Sequence, residues 1–255
     1  MATYGRPWSM GLIRHGGSAA TSPPTTGLKA WFKGDAGVTQ GGGTVSAWAD
    51  QSGNGNDVTQ GTGANQPAFT ASAINGIPGI AYSANAQILT RATSPLSVGS
   101  ARTVVGVAKP AAGSGSFNPG GTVAHFKTTS GHDWTGYLAV VGASTYGWGN
   151  NVVSDSLTSP PTILNTPCVV EISTTVGQLP TFVINAVAYT AAGGNVVTTD
   201  DGTNGFQIGN VAQASSQFFA GSICEVLVYD HILSAGDLTT LRQYLQAKYA
   251  INLGV

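Results

Sequence analysis

The sequence predicts an all-β protein: a two-sheet antiparallel β-sandwich of jelly-roll type, with one C-terminal α-helix and an extended N-terminal arm. Three observations point there. Short runs rich in β-branched and aromatic residues recur along the chain, bounded by Gly, Pro, Asn or Ser. The 36 glycines and 12 prolines are spread through turn-like settings rather than gathered into a repeat or a linker. One stretch near the end carries apolar residues at helical spacing.

Residues 1–27 stand apart from the rest. The stretch contains Gly5-Arg-Pro-Trp, Arg14-His-Gly-Gly and Thr21-Ser-Pro-Pro-Thr-Thr, with a period of neither 2 nor 3.6. It is expected to be an arm, and residues 28–255 are expected to be the sandwich. Such an arm has no core of its own. Trp8, Met10, Leu12 and Ile13 offer it anchors, on a partner subunit or back on its own domain.

From Leu28 onward the strand signals follow one another. The clearest are Arg102-Thr-Val-Val-Gly-Val-Ala, Gly121-Thr-Val-Ala-His-Phe-Lys, Gly136-Tyr-Leu-Ala-Val-Val and Pro167-Cys-Val-Val-Glu-Ile-Ser. Then come Thr181-Phe-Val-Ile-Asn-Ala-Val-Ala-Tyr, read as one strand, Gly205-Phe-Gln-Ile-Gly, and Gln217 to Tyr229. Several are apolar on both alternations, as strands buried on both faces are. Their spacing without intervening helices argues for an antiparallel sandwich or jelly roll.

The helix begins at Ser234, whose hydroxyl can cap it, with Asp237 three residues on in a capping-box-like arrangement. Leu238, Leu241, Leu245 and Tyr249 follow at spacings of three and four, which makes one apolar stripe to lay on the sandwich.

A chain of 255 residues is long enough for one large all-β domain, and 42% hydrophobic residues can fill its core. Charged residues are only 8%, against about 25% in ordinary globular proteins. The surface is therefore expected to be Ser, Thr, Asn, Gln and Gly, which hydrogen-bond readily to sugars and to other protein surfaces. Its 10 scattered Lys and Arg give no patch for phosphates, and a formal net charge of −1 gives no steering toward polyanions or anionic membranes. Nucleic-acid binding and membrane insertion are not expected. No secretory signal pattern is visible around Arg6 and Arg14, so the chain is expected to be made in a cytoplasm. Cys168 and Cys224 each sit in an apolar strand-like run and are expected to be buried thiols rather than a bridge.

Several segments form an ordered series. Trp31-Phe-Lys-Gly-Asp-Ala-Gly is followed by Trp48-Ala-Asp-Gln-Ser-Gly-Asn-Gly-Asn-Asp, Asn65-Gln-Pro and Ile74-Asn-Gly-Ile-Pro-Gly-Ile-Ala-Tyr. Phe182-Val-Ile-Asn-Ala, Phe219-Ala-Gly-Ser-Ile-Cys-Glu-Val-Leu-Val-Tyr-Asp and the helix from Leu233 to Tyr249 close it. The series resembles the laminin G-like, concanavalin A-like domains of tailed-phage structural proteins and bacterial surface proteins, over nearly all of residues 28–251. The resemblance implies a concanavalin A-like fold. It says less of function, because this fold carries lectins, glycanases and structural modules. Between about residues 84 and 166 the series is interrupted, and a partner-specific surface is expected there.

Glycan hydrolysis on such a fold needs two carboxylates placed about the scissile bond. The only glutamates in the chain are Glu171 and Glu225, each alone in an apolar strand. Glu225 matches a position where the family commonly has Glu. It is expected to be buried between Ile223 and Leu227 and hydrogen-bonded to a loop backbone, not catalytic. Asp50, Asn54, Asn56 and Asp57 offer oxygens that could suit Ca²⁺, but Asx and Gly in such a run also build tight turns, with Trp48 anchoring the core. His15, His125, His132 and His231 show no metal-ligand spacing. No cofactor is expected, and no catalytic triad or phosphate loop is apparent.

The most lectin-like stretches are His132-Asp-Trp-Thr-Gly-Tyr and Thr145-Tyr-Gly-Trp-Gly-Asn-Asn. Trp134, Tyr146 and Trp148 could stack on sugar rings while Asp133, Asn150 and Asn151 bond hydroxyls, or these aromatics fill the core or a subunit contact. Two functions are expected. One is a non-enzymatic subunit of a virion surface, a phage head-decoration or cement protein held by its arm to a capsid or other virion protein and to copies of itself. The other is a carbohydrate-binding, lectin-like module of a surface or tail-fibre protein. Host-surface glycans are an expected ligand of either.

Overall fold

A computed structural model of the chain describes residues 20–84, 86–97, 101–111, 122–126, 135–141, 145–149, 154–156, 163–189, 205–210 and 219–255. The strands are β1 (Leu28–Lys33), β2 (Val38–Gly41), β3 (Thr44–Trp48), β4 (Val58–Thr59), β5 (Ala68–Ile74), β6 (Ile77–Tyr82) and β7 (Leu89–Arg91). They continue as β8 (Arg102–Pro110), β9 (Thr122–Phe126), β10 (Thr135–Val141), β11 (Thr145–Gly149) and β12 (Ser154–Ser156). The last are β13 (Cys168–Thr174), β14 (Thr181–Ile184), β15 (Val187–Tyr189), β16 (Phe206–Ile208) and β17 (Gly221–Tyr229), before the helix α1 (Ala235–Tyr249). All described pairings are antiparallel, in one continuous hydrogen-bonded sheet that folds over into two layers.

The first layer is built on β17. One edge of β17 pairs with β8, which continues through β13 and β14 to β15. Its other edge has two neighbours in succession, β6 against Gly221–Ile223 and β1 from Glu225 to Tyr229. The second layer runs β2, β3, β4, β7, β16, β9, β10, β11, β12. The β5–β6 hairpin joins the layers, because β5 also meets β3 at Thr44 and Ala68.

The apolar runs are explained by two cores. Val104 and Ala108 of β8 point between the layers, while Val105 and Val107 point outward under α1. Both faces of this strand are buried, so its sequence does not alternate. Between the layers, Phe32 lies 5.6 Å from Trp48 and 5.9 Å from Phe206, which lies 5.0 Å from Phe126. These rings fasten β1 to the second layer, and Trp48 is fully buried with its indole N–H donating to the Lys33 carbonyl at 2.8 Å.

The helix forms as its sequence dictates. Ser234 Oγ accepts from the Asp237 N–H at 3.1 Å and donates to Asp237 Oδ2 at 2.7 Å. Such a cap contributes about 1 kcal/mol. Burial of Leu241, Tyr244, Leu245 and Tyr249 contributes about 1.5–3 kcal/mol for each side chain, so packing decides.

One reading of the sequence is corrected. Thr181 to Tyr189 is not one strand but the hairpin β14–β15, turned at Asn185 and Ala186, both at positive φ (47° and 63°). Two successive left-handed residues reverse the chain with the twist of a two-residue hairpin. Asn185 Oδ1 fixes the turn by accepting from the Val169 N–H at 2.9 Å.

Candidate functional site

A bulge in β17 lies beside a buried polar cluster. Ile223 pairs with Ala108 and Glu225 with the next residue, Val107, so Cys224 is an inserted residue. Ile223 points between the layers, and Cys224 and Leu227 point outward toward α1. The expected face neighbours of Glu225 are thus half corrected: Leu227 shares its side and Ile223 does not. Its partners are corrected too. They are side chains rather than a loop backbone.

Glu225 is fully buried, and both of its oxygens are engaged twice. Oε1 accepts from Trp31 Nε1 at 2.6 Å and from the Tyr244 hydroxyl at 2.8 Å. Oε2 accepts from Tyr249 at 2.7 Å and from Lys248 Nζ at 3.0 Å. A carboxylate has about four acceptor directions, and all are filled. Burial and the Glu225 charge push the phenols of Tyr244 and Tyr249 well above the ordinary range, because the phenolate would be a second buried anion.

Glu171 is placed likewise, across β8 from Glu225. It is almost fully buried, and Arg242 of α1 grips it with two hydrogen bonds of 2.8 and 2.7 Å. That bond raises the Arg242 guanidinium above its ordinary value. Both glutamates of the chain therefore fasten α1 to the first layer.

The Asx-rich run after Trp48 is a closed turn. Asp50 Oδ1 accepts from the N–H groups of Trp31 and Ser52, both at 2.8 Å. Its Oδ2 accepts from Ser52 Oγ at 2.8 Å and the Asn56 N–H at 2.9 Å, and Asp57 Oδ1 accepts from the Asp50 N–H. The amides of Asn54 and Asn56 donate to the carbonyls of Leu28 and Lys29. The four residues come together around the start of β1, with their polar atoms directed at the backbone.

Among the aromatic residues singled out in the sequence, Trp134 lies outside the described residues, as do Asp133, Asn150 and Asn151. The backbones of Tyr146 and Trp148 lie in β11, opposite Val140 and Asp155; their side chains are outside the described residues. Trp8, Met10, Leu12 and Ile13 are outside them too, with His15 and His132. The root of the arm is described: Ala20 packs on the helix-side core and the Tyr229 hydroxyl donates to the Pro24 carbonyl at 3.1 Å. His125 is buried in β9 with Nδ1 3.2 Å from Gln207 Oε1, and His231 is beside Asp230 at the surface. Among the described residues no three His, Cys, Asp or Glu side chains form a group that could hold a metal ion. Among them no helix is long and apolar enough to cross a membrane.

Architecture and interior define a fold class: a two-layer antiparallel β-sandwich with one helix packed on the outer face of its first layer. Trypanosoma rangeli sialidase, solved with sialic acid, has a TM-score of 0.59 at 14% identity, over 88% of this chain and 34% of the sialidase. The chain thus spans about a third of that protein's length. Domain 4 of an extracellular arabinanase from Geobacillus stearothermophilus, solved with arabinotriose, has a TM-score of 0.55 at 16% identity, over 84% of this chain and 98% of that domain. The binding domain of botulinum neurotoxin serotype G has a TM-score of 0.59 at 11% identity, over 86% of this chain and 51% of that domain. At these identities the likeness is one of fold. No family model and no curated protein matches the sequence.

Proposed function

We propose that the chain is a non-catalytic binding module whose ligand is a saccharide. The observation that carries this reading is the likeness to the arabinanase domain, which extends over 98% of a unit solved with arabinotriose. A chain with only 8% charged residues suits neutral hydroxyl-rich ligands, because the Ser, Thr, Asn and Gln side chains that take their place both donate and accept. The engagement of Glu171 and Glu225 with α1 supports binding without hydrolysis. Trp134, Tyr146 and Trp148 are the aromatic platform of this reading. A glycan array probed with the wild type and Trp148→Ala tests it. Binding that the substitution weakens is expected, and no signal from the wild type would sink the reading.

A second reading draws on the motif series that resembles tailed-phage structural proteins and on the arm root held at Pro24. In it the chain is a decoration or cement subunit on a virion surface. Residues 1–27 attach it to a capsid or other virion protein and to copies of itself, and the sandwich faces host glycans. Removal of residues 1–27 is then expected to abolish incorporation into particles, and unaltered incorporation would refute it.

A further inference from the structure

Outside the first layer, between β1 and the last turns of α1, the surface opens into a shallow recess of about 430 Å³. Trp31, Lys33, Asp35, Tyr244, Ala247 and Lys248 line it, with Ala20 and Thr21 completing the wall. The volume lies in the lower part of the range of small-ligand sites, about 300–1,000 Å³. The recess lies on the side of the first layer that carries α1, away from the second layer that contains β11.

The rings are rigidly held. Trp31 and Tyr244 meet edge to face at 6.1 Å, and each is tied to Glu225 behind them by its own polar atom. What they present to the recess is therefore fixed apolar surface. The polar groups are Lys33, Asp35 and Lys248. Lys33 Nζ lies 4.6 Å from the Trp31 ring centre and forms no ion pair among the described residues. Lys248 Nζ bridges Glu225 Oε2 and Asp35 Oδ1, both at 3.0 Å. Asp35 is about a third exposed and uses one carboxylate oxygen in that bond, which leaves Oδ2 as an acceptor.

Charge decides the ligand class. Two ammonium groups and two carboxylates cancel, so an anion entering the recess meets Asp35 and a cation meets Lys33. A neutral ligand with adjacent hydroxyls meets no such conflict: one hydroxyl donates to Asp35 and its neighbour accepts from Lys33. The Trp31 and Tyr244 rings cover the ligand's C–H surface. We propose that this recess is a binding subsite for one neutral sugar ring, an inference that rests on the reading of the chain as a saccharide-binding module.

The test is titration of the full chain with arabinotriose, maltotriose and cellotriose, followed by amide NMR shifts. The wild type is compared with Asp35→Ala, Lys33→Met and Trp148→Ala, all first shown to be folded by their amide spectra. At least one trisaccharide is expected to move the amides of β1 and of the C-terminal half of α1. Asp35→Ala and Lys33→Met are each expected to weaken that binding about tenfold, as loss of a hydrogen bond to a charged group does. Binding lost in Trp148→Ala and unaffected in the other two overturns the recess and leaves the saccharide reading standing. No binding of any trisaccharide overturns both. Binding at the recess only after removal of residues 1–19 also overturns the proposal, because it assigns the recess to the chain's own N-terminal segment.

Discussion

The hydroxyl of Tyr249 donates to Glu225 Oε2 at 2.7 Å, joining the last turn of α1 to the residue that follows the bulge of β17. Trp31, Tyr244 and Lys248 converge on the same carboxylate. Glu225→Ala takes the acceptor from the Trp31 indole N–H and the Tyr244 hydroxyl, and leaves Tyr249 only the Cys224 carbonyl at 3.4 Å and Lys248 only Asp35 as an ion-pair partner. Removal of one partner of a buried pair costs about 3–5 kcal/mol. Urea denaturation is expected to show a loss of that size, and a loss below about 1 kcal/mol would show that the contacts are incidental.

The two phenols make stability depend on alkaline pH. Tyr244 and Tyr249 are raised well above 10.0 by burial and by Glu225, whereas an unfolded tyrosine ionises near 10. Below about pH 10 both states hold the phenol protons and the contribution is full and constant. Above it the unfolded chain sheds protons that the folded chain keeps, so stability falls as pH rises. Denaturation midpoints are expected to begin falling near pH 9, where the thiols of unfolded Cys168 and Cys224 ionise, and to drop further above about pH 10, with phenolate absorbance appearing together with unfolding. Phenolate from these tyrosines in the intact fold, well below the unfolding pH, would contradict this.

Cys168 and Cys224 are free, buried and on opposite faces of the first layer, one in each core. Burial pushes both thiols up to about 12, with the Glu225 charge adding to the effect at Cys224. The thiolate is the reactive form and is scarce at neutral pH. An aromatic disulfide reagent is expected to titrate neither thiol in the native protein and both after denaturation. Prompt reaction of one thiol in the native state would be the contrary result.

The turn around Asp50 is held by hydrogen bonds to backbone and side chains, and its stability is expected not to need a cation. The melting temperature should be the same in a chelator and in excess calcium. Asp50→Ala, which strands the N–H groups of Trp31, Ser52 and Asn56, should cost about 2–3 kcal/mol. A calcium-dependent rise in melting temperature would give the turn a cation after all.

What the sequence made legible was local. The cap at Ser234 and the apolar stripe of α1 are read from residues three or four apart, and the Asx-rich turn after Trp48 from a run of ten. The bulge at Cys224 was hidden because both faces of β17 are buried, so no alternation existed for an extra residue to interrupt. The hairpin at Asn185 was hidden in the same way, between two apolar runs with no glycine at the reversal. The partners of Glu225 could not be read either. Trp31 stands 194 residues from it in the chain, and only the folded layers bring them together. The recess is equally non-local, since Asp35 acquires its ion-pair partner Lys248, and Trp31 its edge-to-face neighbour Tyr244, from the far end of the chain.

The inserted residue has one more effect. The carbonyl of Cys224 accepts from the Gly34 N–H at 2.8 Å, at the place where β17 exchanges β6 for β1 along one edge. That place is a seam: on one side the strand leads through the β5–β6 hairpin into the second layer, and on the other through β1 toward the recess. The carboxylate beneath α1 is clamped at this seam. Slackening at Glu225 would therefore part the first layer along the line between β6 and β1, rather than spread evenly through either layer.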